Sequence, residues 1–161
     1  MMDDVDVFVL ARAVHVLGVV LWIGGVAFVT LVLLPALKTI ADGEQRLSLF
    51  EQLEGRFANQ ARIVTVITGV AGFCMVEFMD VWQRYQLLEY WWMHLMTFIW
   101  AIFTLVLFVL EPLVLHRVFH KKATQDSDRA FNLIHRMHKI LLSLSLLAVF
   151  GAVAGSHGFQ F

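Results

Sequence analysis

The chain has 161 residues, 60% of them hydrophobic and 16% charged, with a net charge of −1. A soluble globular domain is nearer about half apolar and a quarter charged, so that class is excluded, and the charge balance points to no nucleic-acid partner. A single cysteine, Cys74, rules out an intramolecular disulfide and any CxxC metal or redox motif.

In chain order, the start MMDDVD is acidic, whereas a secretory signal needs a basic opening. Residues 13–37 then run for 25 positions without a Lys, Arg, Asp or Glu. That exceeds the roughly 20 helical residues needed to cross a hydrocarbon core, and the first predicted helix covers 7–37. Asp42 and Gln45 have capping-box spacing for a helix start. Leu47, Phe50, Leu53 and Phe57 follow as one apolar stripe. The second helix, 44–79, is therefore expected to begin as an amphipathic cytoplasmic extension. Its uncharged run, 63–76, is only 14 residues long, and Arg62 and Glu77 bound it at headgroup reach. The third helix, 88–118, holds the uncharged run 90–110, and Pro112 should kink or end it. The polar stretch 121–129 is a turn region, and the fourth helix spans 129–158. The expected fold is all-α: an integral membrane four-helix bundle forming one transmembrane domain. There is no internal repeat and no low-complexity segment.

Ten basic residues fall on one side: Lys38, Arg46, Arg56, Arg62, Arg117, Lys121, Lys122, Arg129, Arg136 and Lys139. Only Arg12 and Arg84 fall on the other. Basic loops stay cytoplasmic, so both termini are expected outside, in the periplasm of a bacterial inner membrane. Gly18, Gly24, Gly25, Gly69, Gly72 and the Gly151–Gly155 G-x-x-x-G pair offer close approach to a neighbouring helix or a flat cofactor. A homo-oligomer is compatible with such surfaces.

The seven histidines sort by depth. His15 and His94 enter from the outer side and share one layer of the outer leaflet, within about a turn at roughly 1.5 Å per residue. His157 lies in or just above that layer. His15, Gly18, Trp22 and Gly25 form one stripe, a ligand histidine over two glycines with an aromatic wall between. Arg12, one turn outward, is placed to meet a haem propionate. Six-coordinate haem b takes two neutral imidazoles, one on each face of the porphyrin, so His15 and His94 are the expected ligands, with His157 in reserve. Met93 and Met96 beside His94, with Met75, Met79 and Cys74 on the second helix, make copper the alternative, since soft sulfur ligands select Cu(I). His116 with His120 and His135 with His138 form an inner group of ligand-like spacing. It would hold a second haem or a metal, against a reading as a solvated basic patch. Trp82, Tyr85, Tyr90, Trp91 and Trp92 belong to the outer interfacial belt. No G-x-S-x-G, P-loop, H-E-x-x-H or dinucleotide fingerprint is present, so catalysis would be redox chemistry at a cofactor.

The segment HVLGVVLWIGGVAF, 15–28, resembles the opening helix of the copper-resistance D family of small bacterial membrane proteins. The segment RMHKILLSLSLLAVFGAVAGSHG, 136–158, resembles the last helix of related four-helix proteins. The chain is also similar to the HemJ-type protoporphyrinogen oxidases, membrane haemoproteins with an essential first-helix histidine and a third-helix lysine. On these resemblances His15 matches the first-helix histidine. The lysine has no counterpart, and His94 stands in that region. The expectation is a membrane cytochrome b that moves electrons between a quinone or quinol of the lipid bilayer and a redox partner at the outer face. Copper handling and porphyrinogen oxidation are the other functions the resemblances imply.

Overall fold

Helix α1 (Asp4–Phe28) does not stop at its end but widens into a π-helical turn, Val29–Leu33, and narrows again as the short α2 (Leu34–Lys38). The reason is Pro35. A proline ring clashes with the carbonyl four residues before it and supplies no N–H, and the wider π register relieves that clash. Leu34 N–H accordingly reaches back five residues, to Val29 O. The structure, a computed structural model, describes residues 4–39, 42–115 and 127–159.

The long α3 (Gly43–Phe78) begins where Asp42 accepts the Gln45 N–H at 3.5 Å on its side chain. Its first turns are amphipathic, although not along the expected stripe. Phe50 is buried and Phe57 partly so, but Leu53 is 37% exposed, and the Arg46 side chain is buried instead. Arg46 lies over the Phe131 ring, 4.9 Å from its centroid, and pairs with Asp128 at 2.7 Å. That arrangement lets its stem and guanidinium cover apolar surface. Helix α3 ends on a Schellman motif, with Val81 N–H on Val76 O, Asp80 N–H on Glu77 O and Asp80 at φ 47°.

Two 3-10 turns, Trp82–Gln86 and Leu88–Tyr90, lead into α4 (Trp91–Leu105). Beyond α4 the helix again takes π geometry, Val106–Leu115, and runs through Pro112 rather than ending there. The last helix, α5 (Ser127–Ser156), closes on a second Schellman motif with Gly158 at φ 83°.

All described elements are helical, and four stretches are long and apolar enough to cross a membrane: Val5–Lys38, Ser48–Phe78, Leu88–Glu111 and Phe131–Ser156. Helix α1 packs along α3 and α4 along α5, with narrower contacts between α1 and α5 and between α3 and α4. The interior is a cluster of Trp22, Ile23, Val26, Ile99, Phe103, Leu142 and Ala148. A second cluster, Val29, Leu34, Leu37, Phe50 and Phe131, closes the end where α2 and the start of α3 meet α5. Outward faces remain apolar, with Val16, Leu17, Val20 and Leu21 exposed on α1 and Leu146, Leu147, Phe150 and Val153 on α5. Contiguous exposed apolar surface of this extent is compatible with a multi-pass membrane protein.

The glycines are spent on side chains rather than on bare backbone. Gly18 receives Thr68, Gly25 receives Phe57, Gly69 receives the Trp100 indole, and Gly151 and Gly155 receive Trp91 and Trp92. A Cβ on Gly18 would meet the Thr68 hydroxyl, which is itself fixed by donating to Val64 O at 2.8 Å. Gly18→Ala is therefore expected to destabilise by about 1 to 2 kcal/mol, read as a lower unfolding midpoint in detergent. Gly24→Ala, where nothing lies within 4 Å, is the control and should be neutral.

Candidate functional site

His15 sits on α1 where it faces α3. Its Nδ1 lies 2.9 Å from the carbonyl oxygen of Thr68, and its Cε1 packs on the Cα side of Gly72, where a Cβ would come to 3.0 Å. Glycine at that position makes room for the ring. A carbonyl only accepts, so Nδ1 carries the proton and donates it, and Nε2 holds the lone pair. This is the tautomer in which a second, neutral contact orients a histidine for an electrophile or a metal at Nε2.

His94 is placed differently. Its Nδ1 is 3.1 Å from Tyr90 O and its Nε2 is 3.0 Å from Tyr85 O. A neutral imidazole has one N–H, so both nitrogens face acceptors and neither is presented as a free lone pair. The Trp82–Gln86 turn folds back to make this contact. Tyr85 stands edge-on to His94 with ring centroids 5.6 Å apart, and its hydroxyl is 2.9 Å from Thr97 Oγ1 one turn further on. Trp82 continues the row, with its indole N–H on Glu77 at 2.9 Å and its ring against Phe73.

The remaining expected site residues scatter. Arg12 and His157 are exposed, and His157 Nδ1 is used locally, 2.7 Å from Val153 O. The Gly18–Trp22–Gly25 face, expected to accept a porphyrin, is filled: Thr68 and Phe57 occupy the glycines, and Trp22 meets Phe103 edge-on at 4.9 Å. Met93 is buried, Met96 packs on the interior cluster, and Met79 is 48% exposed. Cys74 lines an apolar groove of about 350 Å³ between α1 and α3, together with Ala11, Val14 and Ala71. Among the described residues no group of three or more His, Cys, Asp or Glu side chains could hold a metal ion. Of the inner histidines, His116 and His120 lie outside the described residues. His135 and His138 do not face one another's ligand positions. His138 Nδ1 bonds back to Ile134 O at 3.0 Å, and His135 Nε2 reaches across to Thr30 O at 3.0 Å.

Haem fits part of this set. It fits His15; Trp22 is packed in the interior against Phe103, with its indole N–H, like the Thr65 hydroxyl, buried without a partner among the described residues. It does not fit Gly18 and Gly25, which are packed, nor His94 while Tyr85 O holds its Nε2.

Two polar devices were not visible in the sequence. In a π register the carbonyl of residue i is taken by the N–H of i+5. For Thr30 that residue is Pro35, and for Leu107 it is Pro112, neither of which has an N–H. Each freed carbonyl is satisfied from another helix: His135 Nε2–H donates to Thr30 O, and Arg62 Nε–H donates to Leu107 O at 3.0 Å. Arg62 also pairs with Glu111 and bonds Asn59 Oδ1 at 2.7 Å. The available signal was a proline inside each apolar run, five residues after the carbonyl it orphans.

Compared with protein-family models, curated proteins and solved structures, the chain matches none.

Proposed function

We propose that the protein is a multi-pass membrane redox protein that holds haem b near its outer end through His15. The observation that carries this is the contact of His15 Nδ1 with Thr68 O at 2.9 Å, which puts the proton on Nδ1 and leaves Nε2 with its lone pair. Bound there, haem would supply one-electron transfer. The Thr68 carbonyl orients the ring of His15 and so its ligand nitrogen. The ten-to-two distribution of basic residues supports both termini on the outer side of a bacterial inner membrane. The aromatic row Trp82, Tyr85 and His94 then lies at the outer interface, where a redox partner would dock, and a quinol of the bilayer is the electron source. The resemblance of residues 15–28 to the copper-resistance D opening helix, and of 136–158 to related four-helix and HemJ-type haemoproteins, on which His15 matches a first-helix histidine, favours this reading.

The test is an optical spectrum of protein expressed with ample haem. We expect a Soret band and, on dithionite reduction, a sharp α band, both lost in His15→Ala. No haem spectrum in the wild type would overturn the reading. In His94→Ala, a change from a six- to a five-coordinate spectrum would make His94 the second ligand and show that the Tyr85 carbonyl releases it. An unchanged spectrum would leave His15 as the sole histidine ligand.

A further inference from the structure

Lys38 ends the first membrane-spanning stretch, and its ammonium is held between two neutral acceptors of α5. It donates to Asn132 Oδ1 at 2.8 Å and to His135 Nδ1 at 3.0 Å. His135 Nε2 is already committed as a donor to Thr30 O, so its Nδ1 is the acceptor, and the lysine geometry follows from that tautomer. An ammonium has three N–H donors, and the third is unused. No carboxylate among the described residues pairs with Lys38; the resolved ion pairs are Arg46–Asp128 and Arg62–Glu111. Asp128, one turn before Asn132 on α5, is engaged by Arg46, and the charges that follow on α5 are basic. Lys139 lies within electrostatic reach of His135, and Arg136 and Lys139 are exposed on α5. Leu133, Arg136, Met137 and Ile140 fall on one face by their spacing, and the three apolar ones are strongly exposed. Fixed positive charge thus stands at the same end of the bundle as surface suited to acyl chains, with Arg136 on that face and Lys38 on the neighbouring Asn132–His135 face of α5.

We propose that Lys38, with Arg136 and Lys139, binds the phosphate of an anionic phospholipid whose chains lie along the Leu133–Ile140 face of α5. Among the described residues no carboxylate pairs with this ammonium, the neutral acceptors hold it in place in advance, and the adjoining apolar face selects a phosphate that carries hydrocarbon. The inference rests on the membrane reading of the four apolar helices and is independent of haem.

The test is a thermal-unfolding titration of the full chain in neutral detergent. The probes are dioctanoyl phosphatidylglycerol, dioctanoyl phosphatidylcholine and inorganic phosphate at matched ionic strength. We expect phosphatidylglycerol to raise the midpoint saturably, and the other two to leave it unchanged. Each interfacial cation contributes about fivefold to binding, so Lys38→Gln and the double variant Arg136→Gln/Lys139→Gln should weaken phosphatidylglycerol by about fivefold and about twentyfold. The double variant removes no described hydrogen bond, and it decides the matter if Lys38→Gln does not fold. Equal effects of the two lipids, or unchanged affinity in the double variant, would overturn the proposal. Equal protection by inorganic phosphate would overturn the lipid assignment in favour of a free-phosphate site.

Discussion

Replacing Arg62 by alanine is expected to destabilise the protein by about 3 kcal/mol or more. The change removes three things together: the partner of Glu111, the donor to Leu107 O, and the bond to Asn59. Glu111 and Arg62 are both largely shielded, with side chains 21% and 26% exposed, so a carboxylate left alone there is costly. The orphaned carbonyl adds about 1–3 kcal/mol if nothing replaces the donor. These contributions can be separated. Arg62→Met with Glu111→Gln removes both charges and should recover the ionic part while leaving Leu107 O unsatisfied. Adding Pro112→Ala restores a backbone N–H to that carbonyl, and the triple variant should approach wild-type stability. Unfolding in mixed detergent micelles, followed by far-ultraviolet circular dichroism, would measure each step. A single variant no worse than the charge-free double variant would show that the ion pair contributes nothing.

His135→Ala should cost about 2 to 3 kcal/mol, because it strands Thr30 O in a buried position and withdraws an acceptor from Lys38. The sharper expectation concerns its dependence on Pro35. In a Pro35→Ala background residue 35 has an N–H, and Thr30 O no longer needs the histidine in either an α or a π register. The cost of His135→Ala should then fall to that of the part-buried Lys38 contact, about 1 kcal/mol. The coupling between positions 35 and 135 is therefore expected at about 1 to 2 kcal/mol in a double-mutant cycle. Additive costs would mean that the histidine does not serve the proline-freed carbonyl.

The helices were legible because long uncharged runs admit few other structures, and Asp42 marked the start of α3. What the periodicity could not give was the occupant of each face. The His15–Gly18–Trp22–Gly25 stripe is a real face of α1, yet the partners seated on it, Thr68 and Phe57, come from α3, some 30 to 50 residues later. Depth alone placed His94 beside His15; the Trp82–Gln86 turn folding over His94 follows from Tyr85 reaching Thr97, a contact that spacing does not encode. Arg46 went inward where Leu53 was expected because Phe131 and Asp128 offer it a ring and a carboxylate at once. Pro112 was expected to end or kink its helix. The helix does not end there but continues in π geometry to Leu115, and Arg62 meets the bond that the proline removes.

The two proline-freed carbonyls also differ in when their partners exist. Leu107 O is met by Arg62, 45 residues earlier in the chain, so its donor is already made when that stretch leaves the ribosome. Thr30 O is met by His135, 105 residues later. Until α5 is made, the first long helix therefore carries a backbone carbonyl whose partner does not yet exist. Such a group is costly to bury without water. Pro35 thus ties the completion of the first helix to the last one, and a chain truncated before residue 135 would leave that carbonyl unmet.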